Sequence, residues 1–330
     1  MKLILNRLIN QETLGQQEAY DVLVNISKGA YNPYQITAFL TIYMTRSITV
    51  NELGGFRKAL LDLCLPIDLS DFNTIDLCGT GGDGKDTFNI STLTSFVVAG
   101  AGVKVAKHGN YGVSSSCGSS NVLEYLGVKF TNDQSKLQQA IDKAGICVLH
   151  APLFHPAMKE VGPIRKALGV KTFFNMLGPM VNPSFPQNQM VGVFNLELAR
   201  KYAYFFQDSD KNYAVLHDLA GYDEVSLTDK TKVISRHEER MLEAKDFALK
   251  SLQQSDIYGG QTVAESAKIF TNVLENKATD AQKNVVCANA ALAISLVKNC
   301  SLEEGFDTAK ASIDSKKALN IFKKLISILK

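Results

Sequence analysis

The 330-residue chain predicts an α/β fold: an all-helical opening, then a mostly parallel central sheet flanked by helices. Three observations carry this. Up to about Ser70 only helix caps and helical apolar spacing occur. Beyond it, short apolar strands alternate with helical stretches, at Thr74–Cys78, Val103–Ala106, Ile146–His150, Met190–Phe194 and Tyr213–His217. Two of these strands run straight into glycine-rich loops, at the strand ends where sheets of this kind bind ligands.

The elements follow in order. Thr13 to Gln16, Asn32-Pro33-Tyr34-Gln35 and Thr49-Val50-Asn51-Glu52 each pair an N-cap residue with Gln or Glu three positions on. Pro33 sits at a first helical position, where its missing N–H costs nothing. Ala38, Phe39, Ile42 and Tyr43 recur at helical spacing, and Pro66 marks the exit.

The strand at Thr74 ends in Asp76-Leu77-Cys78-Gly79-Thr80-Gly81-Gly82-Asp83-Gly84, and Thr87-Phe88-Asn89-Ile90-Ser91-Thr92 opens a helix after it. Four glycines in six positions let the backbone turn sharply and approach a ligand. A helix start beyond such a turn, with free N–H groups and hydroxyls, attracts phosphate. It is no P-loop, because Lys85-Asp86 follows Gly84. A G-x-G-x-x-G pattern is present, but Asp83 would set a carboxylate against a pyrophosphate unless a cation or ribose hydroxyl intervenes. Alone, this loop reads equally well as a tight structural turn.

The second loop is Lys107-His108-Gly109-Asn110-Tyr111-Gly112-Val113-Ser114-Ser115-Ser116-Cys117-Gly118-Ser119-Ser120, between a strand and a helix-like Asn121–Leu126. Lys107 and His108 offer positive charge or donors to an anion, and the serines offer more. A flexible linker does not interrupt a strand–helix unit in this way. Asp223-Glu224 follows the strand at Tyr213 and reaches the same edge. Three helices close the chain, Thr262–Leu274, Asp280–Val297 with Asp280 as its N-cap, and Leu302–Leu329. Ala288, Ala291 and Ala293 predict close helix packing.

Together the loops resemble those of the anthranilate phosphoribosyltransferases, whose members show G-T-G-G-D, N-x-S-T and K-H-G-N in this order. The resemblance runs from the N-terminal helices to Leu329. It includes His155-Pro156, Arg165, Asn175-x-Leu177-Gly178-Pro179-x-x-Asn182-Pro183 and Asp223-Glu224. Three positions depart from the family: Tyr111-Gly112 where Arg and a small residue are usual, Ser116 where Lys is frequent, and Asn121 where Asp is usual. The resemblance implies a small all-helical domain, 1–68, onto which helices from about 155–178 pack. That domain is hinged to a catalytic α/β domain, 69–330, with the active site between them. A homodimer through the small domain is also implied, and association with a glutamine amidotransferase subunit is left open.

The substrates would then be anthranilate and 5-phosphoribosyl 1-pyrophosphate, the amine displacing pyrophosphate at C1 of ribose through an oxocarbenium-like state. No covalent nucleophile is required. By resemblance, Gly79, Gly82, Asp83, Thr87, Asn89, Ile90, Ser91, Thr92, Lys107, His108, Gly109, Asn110, Ser114, Ser115 and Ser119 hold the phosphoribosyl donor. Gly79, Asn110, His155 and Arg165 take anthranilate, with Pro156, Met176 and Pro179 as candidates for an apolar wall. Ser91, Asp223 and Glu224 are expected to hold Mg²⁺, two ions per monomer, because pyrophosphate departure needs a hard cation on carboxylate, water and phosphate oxygens.

Composition fits a soluble enzyme: 45% hydrophobic residues and a formal charge of +2, from 35 Lys and Arg against 33 Asp and Glu. That balance argues against a nucleic-acid-binding relative of this fold, which would want a basic face. A pyrimidine-nucleoside phosphorylase shares the second loop, but Arg165, the Asn175–Pro183 segment and Asp223-Glu224 favour the transferase. The six cysteines form no C-x-x-C and read as thiols of a reducing compartment. With no apolar run of membrane length and no leader pattern, a cytoplasmic protein that binds no membrane is expected.

Overall fold

The computed structural model describes residues 1–112 and 117–330, so the predicted donor residues Ser114 and Ser115, and Ser116, lie outside the described part. Four helices open the chain: α1 (Lys2–Ile9), α2 (Gln16–Ser27), α3 (Pro33–Thr45) and α4 (Val50–Asp62). Asn32 caps α3 by accepting from the Gln35 amide at 2.9 Å, and Thr49 caps α4 by accepting from the Glu52 amide at 3.2 Å. For α2 the expected cap is displaced. Gly15 is the N-cap and its amide donates to Glu18 Oε2 at 2.9 Å, whereas Thr13 lends its carbonyl to Arg7. The carboxylate three residues on decides the box, and it lies three beyond Gly15. Glu52 is fully buried yet accepts from the Leu14 amide, the Tyr43 hydroxyl, the Thr49 amide and Arg46, which pins α2, α3 and α4 to one point.

The strands are β1 (Thr74–Gly79), β2 (Lys104–Gly109), β3 (Ile146–His150), β4 (Asn188–Gly192), β5 (Asn212–Asp218), β6 (Thr231–Ser235) and β7 (Glu239–Leu242). They form one seven-stranded sheet in the order β3-β2-β1-β4-β5-β6-β7. The first five in that order are parallel, and β6 and β7 extend the β5 edge antiparallel. Sequence reading missed this last hairpin. Its strands are short and carry Lys232, Glu239 and Arg240, so only the β5 edge pairs them.

The remaining helices are α5 (Ile90–Gly100), α6 (Ser119–Tyr125), α7 (Gln134–Ala144), α8 (Ala151–Phe154), α9 (Val161–Leu168), α10 (Leu196–Gln207), α11 (Val263–Leu274), α12 (Asp280–Lys298), α13 (Leu302–Asp314) and α14 (Lys317–Leu329). The helix expected over Leu302–Leu329 is therefore two, broken at Lys316, whose φ of 59° is left-handed. Thr279, not Asp280, caps α12, accepting from the Gln282 amide at 3.2 Å. Asp280 sits in the first turn, where its charge suits the helix dipole. The Ala-rich face packs closely as expected: a Cβ on Gly305 of α13 would lie 2.6 Å from the Ala291 carbonyl oxygen.

Alternation along β4 and β5 divides the interior into two cores. Met190, Ala214 and Leu216 face the core built with α5, α7 and α11 to α14. Val191, Tyr213 and Val215 face the other, which holds the α1–α4 helices together with Ala157, Val161, Phe173, Leu177 and Tyr202. Phe173 stacks on Phe56 at 4.5 Å and meets Phe39 and Tyr43 edge-on, joining the 157–181 segment to α3 and α4. Among the described residues no single helix is long and apolar enough to cross a membrane; α12 and α13 meet that test only as a pair bent by 117°.

Candidate active site

A cleft of about 260 Å³ opens at the carboxyl ends of β1, β2 and β5, walled on its far side by α9 and the 174–179 segment. Its floor is the glycine-rich turn after β1. Gly81 and Gly82 have φ of 64° and 75°, a left-handed turn open to glycine alone at no steric cost. Gly79 is required for a different reason, because any Cβ there would overlap the Asp223 carboxylate. Asp223 Oδ2 accepts from the Gly81 amide at 2.7 Å, and Glu224 Oε1 accepts from the Ser91 amide at 2.8 Å, in the first turn of α5. The Asp-Glu loop thus closes on the glycine loop through donors of the kind that bind phosphate.

Three carboxylates meet in this closure. Burial and the charge of Asp83 push Asp223 up to about 7; burial, Asp223 and Asp83 hold Glu224 well above the ordinary carboxylate range. Asp83 Oδ2 is buried without a hydrogen-bond partner, and its Oδ1 accepts from the Lys85 amide at 3.2 Å. Repelling carboxylates with an unpartnered oxygen fit a hard divalent cation. Among the described residues no three acids, imidazoles or thiols converge tightly enough to cage an ion alone. An ion here would complete its shell with water and substrate oxygens, as Mg²⁺ does beside phosphates. Asp83, Asp223 and Glu224 have the chemistry for that.

Most of the other residues expected at the phosphoribosyl donor lie around the turn. Thr87 donates to Glu224 Oε2 at 3.4 Å; Asn89 donates to the Cys117 carbonyl at 3.1 Å; Thr92 Oγ1 is buried and unpartnered in the cleft wall. Ile90 does not reach the cleft, being fully buried in the core with its amide on the Phe88 carbonyl. Gly109, Asn110 and Ser119 line the opposite wall, where the Asn110 carbonyl accepts from Ser119 Oγ at 3.2 Å. Asn121 Oδ1 accepts from both the Gly112 and Gly118 amides at 3.0 Å and so gathers the two ends of the serine loop. Tyr111, standing where Arg is usual, donates to Glu124 at 3.2 Å and meets His150 edge-on at 4.8 Å.

Lys107 and His108, read from the sequence as positive charge or donors for an anion, both line the cleft but are buried. Lys107 is 2% exposed, its Nζ donates to the Leu77 carbonyl at 2.6 Å, and burial lowers its pKa. Burial pushes His108 down to about 4, so its ring is neutral near pH 7, with Nδ1 3.1 Å from the Gly178 carbonyl. His155 lies outside the cleft wall, 4% exposed, its ring 5.2 Å behind that of His108, and burial pushes it down to about 3. His155, expected among the anthranilate residues, is thus placed behind His108 and does not itself line the cleft.

Arg165 does line the cleft. Its Nη2 donates to Asn175 Oδ1 at 3.2 Å, its guanidinium lies 5.4 Å over the Phe174 ring, and its Nε is buried and unpartnered. Burial lowers it to about 10, so it stays charged. Pro179 and Phe174 supply apolar wall beside it, whereas Pro156 and Met176 do not line this cleft. Burial raises the Cys117 thiol, which removes the thiolate a nucleophile would need.

Sequence reading missed several residues. Asp76, fully buried in β1, accepts from the His108 amide at 3.0 Å; an acid inside an apolar strand was its only signal. Gly192, at the end of β4, lies so close to Asp223 that a Cβ would overlap its carbonyl. Tyr258 and Gly259 strap the cleft edge, with Thr87 bridged to Tyr258 and the Gly259 amide on the Asp86 carbonyl at 2.8 Å. Neither contact has a local sequence signal.

Comparison with known proteins agrees over the whole length. Residues 2–64 match the model of the glycosyl transferase family, helical bundle domain, and residues 71–319 that of the glycosyl transferase family, a/b domain. The chain is 67% identical to an anthranilate phosphoribosyltransferase of Flavobacterium johnsoniae, covering 98% of each, and 50% identical to one of Bacteroides thetaiotaomicron, covering 99% of each. Among solved structures, the anthranilate phosphoribosyltransferase of Thermus thermophilus superimposes with a TM-score of 0.90 at 30% identity, over 98% of each chain. That of Saccharomyces cerevisiae, in complex with PRPP (the phosphoribosyl donor) and Mg, superimposes with a TM-score of 0.89 at 28% identity, over 98% of this chain and 96% of the other.

Proposed function

We infer the work of individual residues from one premise: the chain belongs to the anthranilate phosphoribosyltransferases, glycosyl transferases with a helical bundle domain and an a/b domain. It transfers the phosphoribosyl group of 5-phosphoribosyl 1-pyrophosphate to anthranilate, a step of tryptophan biosynthesis. One observation supports the residue assignments best. The cleft sets three mutually repelling carboxylates on a glycine turn opposite a charged arginine over an apolar wall.

The turn from Gly79 to Asp83 and the first turn of α5, with Thr87, Asn89, Ser91 and Thr92, hold the phosphates and ribose of the donor; Asp83 accepts from a ribose hydroxyl or a water. Lys107, His108, Gly109, Asn110 and Ser119 close the other side, and Ser114 and Ser115 belong to the same loop. Ser91, Asp223 and Glu224, with Asp83 near, hold Mg²⁺, which neutralises the departing pyrophosphate when bound. Three carboxylates beside a pyrophosphate carry more negative charge than one divalent ion offsets, which supports two ions per subunit.

Arg165 pairs with the anthranilate carboxylate; Phe174 and Pro179 flank the ring; Gly79 and Asn110 sit where the amine approaches C1. His108 presents a neutral Nε2, buried and unpartnered, and can accept a hydrogen bond as the amine is placed. His155 supports the His108 ring from behind. No residue needs to attack C1 covalently, since the free aromatic amine is itself the nucleophile.

We assign 1–68, with 155–178 packed on it, as a unit that moves against 69–330 to open and shut the cleft. Leu3, Ile9 and Tyr34 are 80%, 62% and 86% exposed on α1 and at the start of α3, which supports a homodimer through the helical domain. A cytoplasmic location completes the proposal.

The direct test is the fluorescence of anthranilate. It should fall on adding 5-phosphoribosyl 1-pyrophosphate with Mg²⁺, and each omission should abolish the change. Phosphate-dependent cleavage of a pyrimidine nucleoside without that loss would favour a phosphorylase.

A further inference from the structure

Lys171 stands in the short segment that follows α9, after Gly169 ends the helix with a left-handed φ of 65°. Lys171 lines a neighbouring cavity with Thr172, Asn175 and Phe194 rather than the cleft itself, and its side chain lies against the glycine turn where that turn borders the cleft. A Cβ built on Gly82 would be 3.1 Å from Lys171 Cδ, 2.8 Å from Cε and 3.3 Å from Nζ. The ammonium also lies 5.6 Å over the Phe194 ring, just past the end of β4. Lys171 is solvent-exposed and enters no ion pair among the described residues. A cation is thus held at Gly82, on the same turn whose Gly81 amide donates to Asp223.

The backbone of this segment is tied to the acceptor subsite. Asn175 Oδ1 accepts from Arg165 Nη2 at 3.2 Å and from the Thr172 amide at 3.1 Å. One amide oxygen therefore fixes both the arginine facing the acceptor and the residue next to Lys171. We propose that Lys171 is a donor-binding residue that pairs with the pyrophosphate of 5-phosphoribosyl 1-pyrophosphate from the helical side of the cleft. Through Asn175 it links occupancy of the donor subsite to the setting of Arg165. This rests on the placement of the donor on the glycine turn. It also gives Gly82 a second reason to be glycine: besides its φ of 75°, a side chain there would push Lys171 off the turn.

The test measures donor and acceptor separately in Lys171→Met and Lys171→Arg. A charge-assisted contact to phosphate is worth about 10- to 100-fold in affinity. Lys171→Met should raise KM for the donor about tenfold or more. Calorimetric titration with the donor and Mg²⁺ should show the same loss in Kd, and higher salt should weaken wild type more than the variant. Lys171→Arg should restore most of the loss. In wild type, bound donor should tighten anthranilate, and in Lys171→Met that coupling should shrink. Unchanged donor Kd in a folded, active Lys171→Met enzyme would overturn the proposal, as would equal losses in Met and Arg variants with a lowered Tm. If wild type itself failed to bind the donor by calorimetry, the placement of the donor would fall first, which keeps the two failures distinct.

Discussion

Arg165 shows how much one side chain's setting decides. Burial lowers it to about 10 and one bond to Asn175 leaves its Nε free, so under the proposed assignment it would meet a carboxylate without first breaking an ion pair. Arg165→Ala should raise KM for anthranilate by about 30- to 10³-fold, from roughly 2 to 4 kcal/mol of lost pairing, with KM for the donor nearly unchanged. Equal effects on both substrates would make Arg165 a structural residue. Asp223→Asn with Glu224→Gln should raise the Mg²⁺ requirement and cut kcat by at least about 10²-fold; an unchanged Mg²⁺ titration would refute the metal assignment. Cys117 is the residue most easily mistaken for a nucleophile. Its thiol is raised by burial and rests 3.8 Å from Asn89 Oδ1, so Cys117→Ser should keep activity within about tenfold, or about 1.4 kcal/mol in barrier. A pyrophosphate burst before anthranilate is added would contradict that.

Among elements, the strand ends carry the site. β1 delivers the glycine turn, β2 delivers Lys107 and His108, and β5 leads into the Asp-Glu loop. Gly192 at the end of β4 lets that loop lie flat against the sheet. Gly192→Ala should therefore displace Asp223 while leaving the far-ultraviolet circular dichroism intact. Misplacement of about 1 Å can cost about 10²-fold, so kcat should drop on that scale and half-saturation by Mg²⁺ should rise. Wild-type kinetics in Gly192→Ala would show that the loop has slack. The helix starts were legible because caps are local: Asn32 and Thr49 were found where Gln35 and Glu52 announced them. Thr13 and Asp280 were misread because a neighbouring residue offered the better geometry.

For the whole molecule, the two imidazoles between the cores tie stability to pH. Burial holds His108 near 4 and His155 near 3, against 6.5 for the free ring. Below 6.5 the unfolded chain binds protons that the folded protein refuses, so this contribution is intact above that pH. It declines as pH falls toward 4, by something on the order of 2 to 4 kcal/mol per group. Urea unfolding at several pH values should show a shallower decline for His155→Leu than for wild type. Parallel declines would mean that the folded state accommodates the proton.

The sequence by itself determined the fold class, the five parallel strands and both glycine-rich loops at the strand ends, because these rest on local causes: alternation, glycine turns and helix caps. It also placed Arg165 and Asp223-Glu224 through family-specific patterns. Packing alone decided the charge states and the distances. Burial points the Lys107 ammonium at the Leu77 carbonyl, leaves the His108 ring neutral near pH 7, and sets His155 behind it. Gly192 against Asp223, Gly259 against Thr87 and Lys171 across Gly82 join segments far apart in the chain. Such contacts leave no periodic or local trace, because they depend on where the sheet and the helical bundle bring strand ends and loops together.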